Sequence, residues 1–264
     1  MIVFSLFLAL ALERLRVTPA GWELDEKARS FDAWLTGHRT FGSARQNTTF
    51  GPFLLLIPAF ILAILLLMSD QSLLLLLVNV LVLTLVIGCR NKRDAMREWF
   101  LAVQREDLAS QKEQAEKFLG DGAGPGASIG DHILWLNFRF YFAVALWFVL
   151  LGAPGALAYA FFRANADRVG AFMDWIDWIP SRVASFAFLL VGNFSKALPV
   201  WLEHLTKVEA SQETLLTIAR SAEEIPSGDV AVNAEPEAML ALARRSTILL
   251  LAAIALATLF GWVV

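Results

Sequence analysis

Uncharged, mostly apolar blocks alternate with charged stretches along this chain. Residues 46–69, 71–89, 140–162 and 246–264 carry no Asp, Glu, Lys or Arg. An α-helix rises ~1.5 Å per residue, so roughly 20 apolar residues cross a ~30 Å hydrocarbon layer. The pattern predicts spans at about 52–68, 73–89 and 246–264. A further span at about 133–151 is followed by a short return over 153–162. The break between those two limbs is Gly152-Ala153-Pro154-Gly155. Pro58 falls inside the first span, which is tolerable in lipid when neighbours satisfy the freed carbonyl.

Two apolar pieces, 1–12 and 183–191, are too short to cross and read as half-spanning or interfacial helices. The first lacks a basic leader and a small-x-small cleavage site, so it does not read as a signal peptide. Between the apolar blocks lie amphipathic stretches. In 22–35, Leu24, Ala28, Phe31 and Leu35 recur at helical spacing, with Asp25 and Arg29 as an i,i+4 pair. Residues 90–119 read as one longer helix, with Lys112/Glu116 and Glu113/Lys117 pairs on its surface. It ends in a glycine-rich run from Gly120 to Gly126 that has no preceding strand and no following Lys-Ser/Thr, so it reads as a linker rather than a phosphate loop. Pro180 is expected to stop a helix, with Arg182 opening the next. Residues 211–221 read as helix, and 223–237 as a mobile loop before the last span.

Composition agrees with lipid as the solvent. The chain has 264 residues, 57% hydrophobic and 18% charged, where a soluble domain has about 45–50% apolar and about 25% charged. The reading is an all-α, polytopic helical membrane protein with amphipathic cytoplasmic helices and half-spanning segments, in a single membrane domain over 1–264. A net charge of −3 and mixed-sign loops provide no basic stripe, so nucleic acid is not an expected partner. Cys89 is the one cysteine, so no intrachain disulfide is available. His38, His132 and His204 lack ligand spacing, and no metal site is expected from them.

Basic residues near helix ends favour the cytoplasm. Six lie in 13–45 and seven in 90–132, while the turn at 69–72 has none. The first two spans therefore read as a hairpin with its tip outside. A single outward crossing at 133–151 would leave everything up to Arg244-Arg245 outside, with that basic pair on the wrong side. A turn back at Gly152–Gly155, the preferred reading, keeps Arg163, Arg168, Arg182, Arg244 and Arg245 inside. Segments 13–45, 90–132 and 163–245 are then cytoplasmic and the C-terminus is periplasmic.

The candidate site residues are Asn137, Arg139, Arg163, Asp167, Asp174, Asp177 and Arg182. An ionisable group at membrane depth costs several kcal/mol unless paired, which makes each a functional hypothesis. Asp174 and Asp177 share one side of a helix with Trp175 and Trp178 beside them. One reading is an aromatic belt with structural ion pairs, such as Asp177 with Arg182. The other is a cytoplasm-facing pocket for a charged small molecule, with arginines on phosphate or carboxylate and carboxylates on Mg²⁺.

Several stretches resemble the AmpE family. They are Trp135-Leu136-Asn137-Phe138-Arg139-Phe140-Tyr141, then Leu146-Trp147-Phe148, Gly152-Ala153-Pro154-Gly155-Ala156-Leu157-Ala158-Tyr159, Asp177-Trp178-Ile179-Pro180-Ser181-Arg182 and Lys196-Ala197-Leu198-Pro199-Val200-Trp201. Leu12-Glu13-Arg14-Leu15 and Trp22-Glu23-Leu24-Asp25 fit as well, so the resemblance covers nearly the whole chain. It implies a bacterial inner-membrane protein encoded beside an anhydromuramyl amidase. It also implies a sensory or signalling role in induction of AmpC β-lactamase.

A more distant resemblance is to the CobD/CbiB family, membrane enzymes that join an aminopropanol arm to a corrinoid carboxylate with ATP. Gly152–Tyr159 matches that family's turn, and Asp174, Ile179, Pro180 and Arg182 fall on its Asp and Ile-Pro-x-Arg motif. The helix from Arg105-Glu106-Asp107-Leu108 to Leu119-Gly120 resembles the one before its Gly-Arg-Asp motif, but Asp121 follows Gly120, so that arginine is missing. The synthase's Glu-Asn pair and following Asp fall here at Trp135, Leu136 and Arg139. Arg139 in place of an acid reverses the charge where a metal or ammonium would sit.

The expectation is therefore a regulator of the AmpE type that binds a small ligand or reports to a regulatory protein partner. The alternative is a synthase-like ligase with altered or lost activity. Mg²⁺ and nucleotide enter only through the distant resemblance, and a homodimer is a further candidate assembly. A transporter ranks last, because two spans carry almost no polar groups and no inverted repeat is visible.

Overall fold

The computed structural model describes residues 2–15, 23–39, 42–45, 47, 50–69, 71–120, 128–205, 211–223 and 233–261. Most of the Gly120–Gly126 run and of the 223–237 loop lies outside these residues. Every regular element among the described residues is helical. In chain order they are α1 (Ile2–Arg14), α2 (Leu24–Gly37), α3 (Gly42–Arg45), a 3₁₀ turn (Gly51–Leu56), α4 (Ile57–Leu67), α5 (Ser72–Ile87), α6 (Arg90–Gln104) and α7 (Leu108–Leu119). There follow α8 (Ile129–Asn137), a π turn (Phe138–Phe142), α9 (Ala143–Ala164), α10 (Ala166–Val169), α11 (Ala171–Val191), α12 (Phe194–His204), α13 (Ser211–Ala222) and α14 (Ala234–Leu259).

Two local readings change. The single helix expected over 90–119 is two helices. Glu106 adopts φ 57°, and the Asp107 side chain caps α7 by accepting from the Ser110 amide at 3.1 Å, so Asp107-x-x-Ser110 restarts the helix. Conversely, Pro180 stops nothing: α11 continues from Ala171 through Pro180 to Val191. Proline inside a helix removes one backbone bond; here the ring is buried and packing holds the helix together. Pro58 avoids the problem, because it sits in the first turn of α4, where its missing N–H has no intrahelical partner to lose.

The chain divides into two compact units. The first comprises Met1–Gly88, Phe140–Trp178 and Leu251–Val264. Within it α1 packs on α5, and α2, α4 and α5 pack on α9. Its interior holds Leu83, Phe148, Ala156 and Tyr159. Its outside is apolar too: Phe60, Ile64, Leu65, Leu67, Leu73 and Leu77 are all more than half exposed. Apolar surface on this scale belongs against lipid rather than water.

Inside this unit α9 folds back on itself. Gly152 has φ 70° and ψ −162°, outside the helical region. A Cβ at Gly155 would lie 2.7 Å from the Trp147 carbonyl oxygen, although those residues sit roughly 12 Å apart in a straight helix. The Arg163 guanidinium carbon lies 3.7 Å from the Phe140 ring centre, a pair that a straight helix would hold about 34 Å apart.

The second unit comprises Cys89–Arg139 and Ile179–Leu250. α6 and α7 pair antiparallel, so that Lys92 Nζ near the start of α6 donates to the Phe118 carbonyl near the end of α7 at 3.1 Å. The edge of the His132 ring meets Phe118 with centroids 4.9 Å apart. α12 packs on α13, and α13 on α8. Ion pairs Arg220–Asp131 and Arg245–Glu223 lie at its surface. The Lys117–Glu113 pair forms at 2.6 Å.

Among the described residues, two helices are long and apolar enough to cross a bilayer, Ile129–Ala164 and Ala234–Leu259, or up to three if the bent pair α5–α6 is counted as one. The first is the segment that reverses at Gly152, so it is not one straight crossing.

Candidate functional site

The stretch that leads into the reversal is built around the π turn. Ser128 caps α8 by accepting from the Gly130 amide at 3.1 Å and donates its own hydroxyl to Glu235. This fixes the start of the helix that carries Trp135 and Asn137. Trp135 stacks on Phe138 with centroids 5.1 Å apart, and the Arg139 guanidinium lies 4.4 Å above the Trp135 ring. A cation over an indole face is favourable by about 0.5–2 kcal/mol. Asn137 Oδ1 accepts from the Thr247 hydroxyl of α14 at 3.1 Å. π turns occur mostly as single insertions and are frequent at functional sites. Here the turn carries Arg139, half-buried, over the buried Trp135 ring.

Arg163 is a different kind of group. Its Nη2 donates to Asp25 Oδ1 at 2.6 Å and to the Val86 carbonyl at 3.0 Å. Val86 lies in the last turn of α5, where carbonyls lack helical partners and the helix dipole is negative. A carboxylate, a carbonyl and the Phe140 ring together hold this guanidinium, so it serves as an anchor joining α2, α5 and the returning limb. One heptad along α2, Asp32 is buried and accepts from Arg45 Nε and from Arg168 Nη1, both at 2.5 Å. Asn165 Nδ2 donates to the Phe161 carbonyl at 2.9 Å. Glu13, also buried, accepts from the Tyr141 hydroxyl at 3.1 Å.

The remaining candidates are dispersed. Asp167 is exposed on α10 and Asp174 is half-buried on α11. Asp177 is buried and accepts from the Tyr159 hydroxyl at 2.8 Å. Arg182 is buried, and its Nε donates to the Leu205 carbonyl at 3.0 Å. Arg163, Asp167, Asp174 and Asp177 thus belong to the first unit, and Asn137, Arg139 and Arg182 to the second. Asp32, Arg45 and Arg168 form a charge cluster around the buried Asp32 carboxylate that pattern reading did not single out. Asp25, read as the partner of Arg29, gives its carboxylate to Arg163, while Arg29 Nε reaches only the Asp25 main-chain oxygen, at 3.3 Å. Among the described residues, no three His, Cys, Asp or Glu side chains are grouped to hold a metal ion.

Apolar helices with lipid-type surfaces and polar residues turned inward define a polytopic α-helical membrane protein. More specifically, the chain belongs to the AmpE family: the family described as regulatory signalling modulator protein AmpE matches residues 1–264. It is 28% identical over 290 aligned positions to Protein AmpE of Shigella flexneri, covering 99% of each chain. It is also 28% identical over 146 positions to the cobalamin biosynthesis protein CobD of Chromobacterium violaceum, covering 47% of this chain and 46% of that one. No solved structure matches it.

Proposed function

We propose that this protein is an inner-membrane regulator of the AmpE type. In this reading it modulates β-lactamase induction in response to cell-wall-linked signals. It does so by binding a small anionic ligand from the cytoplasmic side, at the π turn that presents Arg139 and Asn137. The observation that carries the reading is the pairing of a whole-chain AmpE match with a half-buried arginine on a π turn over Trp135. The planar guanidinium fork of an arginine matches a phosphate or carboxylate in shape and charge. The test is complementation of a deletion strain. Loss of the protein changes the inducer response of β-lactamase, the intact chain restores it, and Arg139→Gln at equal abundance does not. Unchanged induction on deletion under every inducer tried contradicts the reading.

A second reading is a ligase related to the CobD synthase, supported by the half-length similarity to that protein. Trp135, Leu136 and Arg139 at the places of the synthase's polar residues argue against retained chemistry. Binding of ATP or a corrinoid by the purified chain, lost in Asp174→Ala, would favour this second reading; absence of such binding removes it.

A further inference from the structure

Helix α11 is turned inside out compared with the chain's water-facing helices. Apart from Gly170 and Ala171, the exposed residues between Arg168 and Ser195 are Trp175, Ile179, Val183, Phe186, Leu190 and Phe194. Spacings of three and four residues place Trp175, Ile179, Val183, Phe186 and Leu190 in one stripe along the helix, while Phe194 starts α12. Of the polar residues of the same helix, Asp177, Ser181, Arg182 and Ser185 are buried and Asp174 is half-buried. α7 has the opposite sense, with Lys112, Glu113, Glu116 and Lys117 exposed and Phe118 buried. α13 likewise exposes Glu213 and Arg220 and buries Leu215 and Ile218. Polar-out helices match water; a helix whose exposed stripe is apolar and whose polar residues turn inward matches hydrocarbon.

We propose that α11 is embedded in the bilayer with this stripe against lipid acyl chains. Its 21 residues amount to about 31 Å, the thickness of the hydrocarbon layer. Exposed charges flank it, Asp167 and Arg168 before and Lys196 after, and Trp175 stands near one end as interfacial tryptophans do. A second protein surface would be expected to meet a polar rim beside the apolar centre, and no polar residue of α11 is fully exposed beside the stripe. The charged residues Asp174, Asp177 and Arg182 interrupt the apolar run, so the sequence pattern picked out only 183–191, as a half-spanning or interfacial piece too short to cross.

The test uses the wild-type full-length chain in phosphatidylethanolamine/phosphatidylglycerol vesicles containing a lipid with a photoactivatable diazirine in its acyl chain. After illumination, labelled peptides are mapped by mass spectrometry. Peptides from α11 are expected to label as strongly as those from α5, whose Leu73, Leu77 and Leu81 are exposed, while α7 peptides stay unlabelled. Label on α5 with none on α11 overturns the proposal. That result accompanied by intermolecular cross-links through α11 would assign the stripe to a second copy instead.

Discussion

The guanidinium of Arg163 sits 3.7 Å from the centre of the Phe140 ring, so the two ends of an apolar segment lie at one level. Between them the chain runs out to Gly152 and returns. The same arginine is fixed by Asp25 of α2 and the Val86 carbonyl of α5, so the closure of the reversal and the docking of the amphipathic helix depend on one side chain.

Breaking this anchor from one side is therefore predicted to be costly. Arg163→Gln leaves Asp25 without its cation, and removing one partner of a buried pair costs about 3–5 kcal/mol. Thermal unfolding in detergent should show the loss. The double variant Arg163→Met with Asp25→Asn should recover part of it, since no lone charge remains buried.

Gly152 and Gly155 are predicted to resist substitution for different reasons. Gly152→Ala forces a side chain onto positive φ, at about 1–3 kcal/mol. Gly155→Ala places a Cβ 2.4 Å from Leu151 Cβ and must push the limbs apart, also costing about 1–3 kcal/mol. Gly37→Ala is the control, since a Cβ there meets nothing within 4 Å. A melting-temperature series should rank both hairpin variants well below that control.

Within the second charge cluster, Asp32→Ala should destabilise far more than Arg168→Ala. Asp32 is buried and answers two guanidiniums, whereas the Arg168 side chain is 58% exposed, and an exposed partner contributes about 1 kcal/mol or less. Equal losses in denaturation of the two variants would contradict this ranking.

Asp107 supplies a pH-dependent cap. The Ser110 hydroxyl, then its amide, hold the Asp107 carboxyl below the ordinary value of 3.8. The cap is therefore fully formed above that pH and is lost as pH falls through the lower folded-state pKa. Carboxyl ¹³C titration should give a midpoint below 3.8, and Ser110→Ala should raise it. An unchanged midpoint in Ser110→Ala would refute the assignment of cause.

What was legible in the sequence followed local rules. The charge-free blocks, the Gly-Ala-Pro-Gly break and the Glu113/Lys117 pair are all neighbour patterns. The buried ion pairs were not legible, because Arg163 meets Asp25, and Arg168 meets Asp32, across the whole length between α2 and the return limb. Local spacing suggested Arg29 for Asp25 instead. The continuity of α11 was hidden by Pro180, which sequence rules treat as a stop but which packing tolerates. The π turn has no residue signature of its own, so the setting of Arg139 emerged only from the fold.

The most direct test of the reversal is a distance. Nitroxides introduced through Tyr141→Cys and Ala164→Cys in a Cys89→Ala background can be measured by pulsed electron paramagnetic resonance in vesicles. The folded-back segment predicts a separation below ~20 Å, whereas a single straight crossing would place them ~34 Å apart from its helical rise. A dominant distance near the longer value would contradict the account.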